Sequence, residues 1–243
     1  MPCTGLSSQA FILDDMDIYE NYINIGLGSG TQTIAKIHQF EKNYTRFFPK
    51  DKGSDILDIG PGKGEMLSCL SELGYTNLQA VDISASVVNF VKELGFNGFL
   101  ANDLPTFLKG KKYALITMCD VVEHLPKSQV VEIMSAVRDA LTENGMLIVQ
   151  VPNMQSITAN LFLFDDFTHE TGYTERSLEQ LLKLAGFSSV ECRGFDFLGN
   201  DLKSKIQSFL QKCLWFCVRS ARKINGTMPH RLLHPVFFAV VHK

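Results

Sequence analysis

Gly60-Pro61-Gly62-Lys63-Gly64 sets three glycines one residue apart, directly after the apolar run Ile56, Leu57, Ile59 and directly before a helical pattern that opens at Glu65. Residues without a Cβ let the backbone turn sharply and approach a ligand, while the free N–H groups and dipole of the next helix attract an anionic or electron-rich group. Asp58, at the end of the run, can orient this loop or meet a ligand ammonium. A second apolar run, Leu78 to Val81, ends in Asp82. An acid about 20 positions beyond a glycine turn is where a doubly wound fold grips ribose hydroxyls, so the pair reads as an adenosine-type cofactor site.

The spelling separates two cofactor classes. Nicotinamide enzymes favour G-x-G-x-x-G near the start of the chain, followed by a second domain. Here the glycines are spaced G-x-G-x-G, and the chain that follows is too short for a further full domain. At this point the sequence resembles the class I S-adenosylmethionine (SAM) methyltransferases, whose first motif is an acid followed by G-x-G-x-G. Asp82 matches their ribose-binding acid, and Asn102-Asp103-Leu104 matches the loop that contacts adenine. Tyr113 to Cys119 followed by Asp120-Val121-Val122-Glu123-His124-Leu125-Pro126 matches the fourth strand and its D-V-x-E-H-L exit, and Gly145 to Pro152 matches the fifth strand. This wording is similar to that of methyltransferase domain 23 and the ubiquinone-biosynthesis O-methyltransferases, as found in bacterial surface-polysaccharide pathways. The resemblance covers residues 50–190 and implies cofactor contacts at Asp58, Gly60, Pro61, Gly62, Gly64, Asp82, Ile83, Asn102, Asp103, Leu104, Cys119 and Asp120. Asp120 would line the methyl-transfer end. A nicotinamide oxidoreductase stands as the rival, since the glycine turn and Asp82 serve both cofactors.

Chemistry at the acceptor end needs a group that takes one proton when the acceptor is a hydroxyl. His169 lies beside Asp165, Asp166 and Glu170, just before Thr174 to Phe187, which follows the family's T-x-x-S-L-x-x-L-L-x-x-A-G-F helix. It is the candidate base, with a purely structural histidine as its rival. His124 and Tyr173 are candidate substrate contacts, and the Glu123-His124 pair reads more simply as scaffold for the turn. Tyr19 and Tyr22 precede the glycine-rich stretch Ile23 to Gly30, which suits a segment folding over the cofactor; packing is their plainer role. The methyl donor is already activated, so no metal is required. The products are a methylated acceptor and S-adenosylhomocysteine. Nothing matches an Asn-Pro-Pro-Tyr signature of nitrogen methylation, and Val151-Pro152-Asn153 echoes it only loosely. A hydroxyl on a saccharide or small metabolite is therefore the expected acceptor, with a quinone or phenol, or a non-catalytic SAM-binding module, as alternatives.

The elements that must position these residues alternate strand and helix. Apolar residues recur at three- and four-residue spacing over Glu65 to Leu73, Ser86 to Leu94, Gln129 to Leu141 and Glu175 to Leu184. The expected fold is α/β, a Rossmann-like seven-stranded, mostly parallel sheet with an antiparallel last strand and helices on both faces. Strands are expected over Ser188 to Phe197 and Pro235 to His242 as well. Residues 1–50 should form a helical cap over the cofactor, 51–200 the SAM-binding core, and 201–243 an inserted helix and final strand. Helices Asp14 to Tyr22 and Gly30 to Phe48 belong to the cap, with Ile34, Ile37, Phe40, Tyr44, Phe47 and Phe48 expected mostly in the core.

The 243 residues, 45% of them hydrophobic, suit one large core, and a net charge of −3 gives no global preference for nucleic acid. No basic region precedes an apolar run at the N-terminus, and no stretch approaches the roughly 18 apolar residues of a membrane span, so a cytosolic protein is expected. The six cysteines should be reduced, buried thiols. Cys213-x3-Cys217-x12-His230-x3-His234 fits a loose zinc-finger spacing, yet its cysteines sit in a helical pattern and prolines bracket its histidines, so packing and coincidence explain it better. Asp201 to Ile224 reads as a basic amphipathic helix: Ile206, Phe209, Leu210, Cys213, Leu214, Phe216 and Cys217 share one side, and Lys203, Lys205, Lys212, Arg219, Arg222 and Lys223 supply the charge. Core or dimer packing is the plainer reading, with a peripheral contact to an anionic membrane or a cover over the substrate pocket as alternatives. A monomer or homodimer is expected.

Overall fold

The computed structural model describes residues 34–197, 199, 201–227 and 231–243. Tyr19, Tyr22, Cys3, His230 and the glycine-rich stretch before Gly30 lie outside the described residues. Helix α1 (Ile34–Tyr44) and a short 3-10 turn (Thr45–Phe47) lead to strand β1 (Ile56–Ile59). Then come α2 (Glu65–Glu72), β2 (Leu78–Asp82), α3 (Ala85–Glu93), β3 (Asn97–Leu100), α4 (Leu104–Leu108) and β4 (Tyr113–Cys119). A 3-10 turn (Val122–His124), α5 (Val130–Asp139), β5 (Leu141–Pro152), α6 (Ala159–Phe164), α7 (Glu175–Leu184), β6 (Ser189–Gly194), α8 (Leu202–Ile224) and β7 (Val236–His242) complete the chain.

The seven strands form one sheet in the order β3-β2-β1-β4-β5-β7-β6. Strands β1 to β5 pair in parallel, and β7 runs antiparallel to both β5 and β6. The expected α/β architecture is therefore the observed one. The order reverses between β1 and β4, the switch point at which ligands bind beyond the carboxyl ends of strands in such sheets. Each face carries its own core. One holds Leu57, Ile116, Met134, Val149, Leu178 and Phe237; the other holds Phe40, Tyr44, Ile56, Leu67, Ile148 and Phe238. Covered on both sides, β1 is buried at every position instead of alternating, and this places Asp58 inside. Burying each large aliphatic side chain of these layers contributes about 1.5–3 kcal/mol.

Local signals place several boundaries closely. Thr174 caps α7 in a capping box with Ser177, and Gly186 ends it at φ +88°. Elsewhere tertiary contacts shorten the expected helices. α5 stops at Asp139, because Leu141 already pairs with Tyr113. α1 tightens into a 3-10 turn after Tyr44, and Ile34 is exposed.

The largest departure is α8. Its partly or fully buried stripe is Ser204, Ser208, Gln211, Trp215, Val218, Arg219 and Arg222, whereas Ile206, Phe209, Leu210, Cys213, Leu214, Phe216 and Cys217 face outward. Phe216 is 70% exposed, so core packing of the apolar stripe is not what the fold does. Polar contacts hold the helix instead. Arg222 Nη2 donates to the Gln155 carbonyl at 2.7 Å, Arg219 Nη2 to the Arg231 carbonyl at 2.6 Å, and the Trp215 ring sits 4.4 Å from that of His234. The exposed Cys213 and Cys217 correct the expectation of uniformly buried thiols; Cys69 and Cys192 are buried. No helix among the described residues is long and apolar enough to cross a membrane.

Candidate active site

The glycine loop begins where β1 leaves the sheet. Gly60 (φ +68°) and Gly62 (φ +52°) adopt the left-handed conformation that favours glycine, in different surroundings. A Cβ on Gly60 would collide with the Val121 Cγ2 methyl, so the exits of β1 and β4 touch at this point. A Cβ on Gly62 would meet nothing within 4 Å among the described residues. Such a loop, with α2 beginning at Glu65, fits the carboxylate-bearing end of an amino-acid-like cofactor.

Three acids stand at or just beyond the ends of β1, β2 and β3. Asp58, on β1, accepts a hydrogen bond from the Thr117 hydroxyl of β4 at 2.6 Å, and burial, together with Glu65 and Asp82 nearby, pushes its carboxyl up to about 7. Asp82 ends β2 and accepts from the Ser84 N–H at 2.7 Å; burial raises it to about 6. Carboxyls perturbed in this way mark a candidate site. Asp103 differs. Fully exposed at the start of α4, it accepts from Thr106 N–H at 3.1 Å and Thr106 hydroxyl at 2.6 Å, which lowers its pKa and makes it the helix cap. Ile83 follows Asp82, and Asn102 and Leu104 flank Asp103, so both loops stand at carboxyl ends of neighbouring parallel strands.

Asp120 is the only non-glycine residue with positive φ among the described residues, at +58°. Strain of this kind costs of order 1–3 kcal/mol and persists only where surroundings enforce it. Here they do: Gln150 Nε2 donates to both Asp120 oxygens, at 3.0 and 2.9 Å, and the Asp120 N–H donates to the Gln150 carbonyl at 3.0 Å. The buried Tyr44 hydroxyl of α1 donates in turn to Gln150 Oε1. Cys119 packs beside Tyr44, and burial raises its thiol well above the ordinary value. Tyr44 and Gln150 were not among the expected site residues; Gln150 was marked by being the one polar residue in Leu147 to Val151.

Beyond Asp120 the chain folds back on itself. The Glu123 carbonyl accepts from Glu170 N–H at 2.8 Å and Thr171 N–H at 3.1 Å, fastening the loop after α6 to the turn after β4. Two expected residues, His124 and His169, meet there with ring centroids 4.7 Å apart. His169 Nδ1 lies 3.3 Å from the Leu163 carbonyl, not against a carboxylate as its sequence neighbours had implied. A carbonyl only accepts, so Nδ1 carries the proton and Nε2 presents a lone pair. His124 Nδ1 faces the Thr168 carbonyl at 3.3 Å and Thr168 Oγ1 at 2.9 Å, and Thr168 Oγ1 donates to Asp166 at 2.6 Å. Its proton too is on Nδ1. Burial and the neighbouring His169 lower the His124 pKa.

Glu123 is 1% exposed, and neither carboxylate oxygen has a hydrogen-bond partner in another described residue. Burial first, then the charge of Asp120, pushes its carboxyl well above the carboxylate range. Tyr173, raised to about 12 by burial and by Glu123, completes the wall. Outside it, Leu163, Phe164, Asp166, Phe167, His169, Glu170 and Gly172 line an open cavity of about 340 Å³. Asn153 takes no part. Its amide donates to the Leu232 and His234 carbonyls at 3.1 and 2.8 Å, pinning the C-terminal segment. Cys213, Cys217 and His234 form no metal-ligand group among the described residues, where the one such group is Glu123, His124 and His169.

Comparison with known proteins matches this architecture. No curated protein matches the chain. Among solved structures, a SAM-dependent methyltransferase from Archaeoglobus fulgidus superposes with TM-score 0.63 at 19% identity, covering 95% of this chain and 100% of that one. The putative methyltransferase bound to the Trm112 activator of Haloferax volcanii gives TM-score 0.67 at 11% identity, covering 92% and 96%. DhpI in complex with SAM and HEP gives TM-score 0.61 at 13% identity, covering 98% and 100%. At these identities the likeness shows the fold. The methyltransferase domain family itself matches residues 33–192, from α1 through β6, and so takes in the glycine loop, Asp120 and the histidine pair alike. The chain belongs to the methyltransferase domain family, and its cofactor is S-adenosylmethionine.

Proposed function

We propose that the protein methylates a hydroxyl group on a saccharide or small metabolite. The observation that carries this reading is His169, which lines the open cavity and, with its proton on Nδ1, keeps Nε2 as a base. S-adenosylmethionine supplies a sulfonium-bound methyl group, which an aligned oxygen displaces in line. Gly60, Pro61, Gly62 and Gly64 shape the pocket for its methionine part, with Asp58 toward the ammonium. Asp82 and Ile83 take the ribose; Asn102, Asp103 and Leu104 take the adenine; Cys119 and Asp120 border the reacting end. His169 accepts the hydroxyl proton at Nε2. His124, oriented through Thr168 to Asp166, and Tyr173 position the acceptor. The Asn153 amide is consumed by backbone carbonyls, and this favours oxygen over amide nitrogen as the methylated atom.

The outward face of α8 fits a peripheral contact with an anionic membrane, because Phe209, Leu214 and Phe216 are exposed on a helix that bears six cations and no acid. The test is transfer of labelled methyl from SAM to panels of saccharides, phenols and quinones, by wild type and His169→Gln. Saccharide methylation, with kcat reduced at least tenfold in H169Q, supports the reading. Transfer only to phenols would redirect it, and tight SAM binding without transfer to any panel would make the chain a binding module.

A further inference from the structure

We infer that Glu123, His124 and His169 form a binding site for one divalent transition-metal ion, placed to hold the oxygen of the acceptor. One ligand atom from each of the three lies within 4.8 Å of the others. A shared ion at the usual bond lengths of about 2.0–2.2 Å needs donor separations of about 3–4 Å, which rotamer adjustment supplies. Three independent features of the cluster match what an ion requires.

The first is a carboxylate without a partner. Burying a charged or polar group unpaired costs several kcal/mol, and native folds rarely leave one so. Both oxygens of Glu123 are in this state, and Asp120 and Asp166 nearby make the pocket more negative still. An ion of charge +2 answers both. The second is tautomer. His169 carries its proton on Nδ1, toward the Leu163 carbonyl, and thereby keeps Nε2 as a donor atom. The third is the support behind the ligands. A metal-bound histidine usually passes its other N–H to a carbonyl or carboxylate; His169 does so to the Leu163 carbonyl, and His124 through Thr168 to Asp166. The loop bearing His169 is fastened to Glu123 by the two backbone hydrogen bonds from residues 170 and 171, so the ligands are brought together by the fold and not by chance side-chain swing.

Two imidazoles and one carboxylate leave coordination positions open and suit Mn²⁺, Fe²⁺, Co²⁺ or Zn²⁺ over the all-oxygen cations. Of the three ligands His169 also lines the open cavity, with Glu170 and Gly172. An acceptor hydroxyl, and best of all a vicinal diol as in saccharides or a catechol, would occupy the open positions and be acidified by the ion's charge. In this state His169 holds the ion, and the ion takes over the acidifying role assigned to His169 above. The inference rests on the methyltransferase reading for the acceptor's place, but not for the existence of the site.

The test uses the full chain after chelator treatment, with Mn²⁺ as probe, because manganese avoids the exposed thiols of Cys213 and Cys217 that would capture zinc. Titration calorimetry and the loss of the free-ion paramagnetic signal should show one Mn²⁺ per chain. Glu123→Gln and His169→Gln should each weaken binding at least tenfold, and C213S/C217S should leave it unchanged. No stoichiometric binding by wild type, or binding unaltered in both site variants, overturns the inference. Where a variant unfolds, Thr168→Val, which removes only the link behind His124, should still weaken binding several-fold, and unchanged affinity there counts against the site. SAM titrated into the same samples separates the two readings. SAM binding without Mn²⁺ binding sinks the metal site alone, and Mn²⁺ binding without SAM binding sinks the methyltransferase reading alone.

Discussion

The crevice and helix α8 break the same rule of folding in opposite directions. At the carboxyl ends of β1 and β4 the protein buries Asp58 and Glu123, while on α8 it turns Phe209, Leu214, Phe216 and Ile224 to the outside. Both arrangements cost stability, yet they differ in kind. Asp58 is held by sheet register and the hydrogen bond from Thr117, and the Glu123 backbone by the bonds from residues 170 and 171, whereas the helix is attached by a few cations and one tryptophan. A rigid, strained crevice is what preorganised chemistry needs, and a loosely attached apolar surface is what docking needs.

The largest expected effect that would sharpen this contrast is at Asp58. Its folded-state carboxyl, raised from 3.8 to about 7, binds a proton more tightly than in the unfolded chain. Stability is therefore full below pH 3.8 and falls as the pH rises to about 7. Asp58→Asn removes this cost, which amounts to about 4 kcal/mol at most above pH 7. Denaturant melts of D58N and wild type should diverge steadily between these pH values while SAM affinity drops in the variant. Parallel curves across that range would mean that Asp58 is not a source of strain.

Next in size is the glycine pair. Gly60→Ala combines a disfavoured φ with a collision against Val121 and should cost about 3 kcal/mol. Gly62→Ala meets no described residue, so its cost is backbone strain of about 1–2 kcal/mol. Thermal melting should rank G60A as the less stable, and equal losses would break the distinction between a packed and an unpacked glycine.

Asp82→Ala should weaken SAM at least tenfold, about 1.4 kcal/mol, as read by calorimetric titration. Affinity equal to wild type would remove Asp82 from the site. The smallest effect on folding belongs to α8. Phe209→Ser with Phe216→Ser should change unfolding free energy by less than about 0.5 kcal/mol, since neither ring is buried. The same double variant should abolish co-sedimentation with anionic vesicles at low salt. Wild-type protein that ignores vesicles but dimerises with concentration in sedimentation velocity would assign the face to a second copy, against the mutual repulsion of its cations.

Residues close in sequence carried most of the fold. The strand, glycine turn and helix at Ile56 to Glu72, β4 over Tyr113 to Cys119 and the capped α7 could all be read directly, because turn chemistry, apolar periodicity and caps act within a few residues. The order of such signals along the chain was enough for the parallel sheet and its cofactor crevice, since right-handed crossovers leave few topologies. Long-range packing decided the rest. Glu123 and His169 are 46 positions apart and meet only because backbone groups of residues 170 and 171 bond to Glu123. The Asp120 backbone is forced by Gln150 and, through it, by Tyr44 from a different helix. On α8 the amphipathic pattern was legible and its direction was not: periodicity defines two faces of a helix, and only the surface it lies on determines which one turns inward.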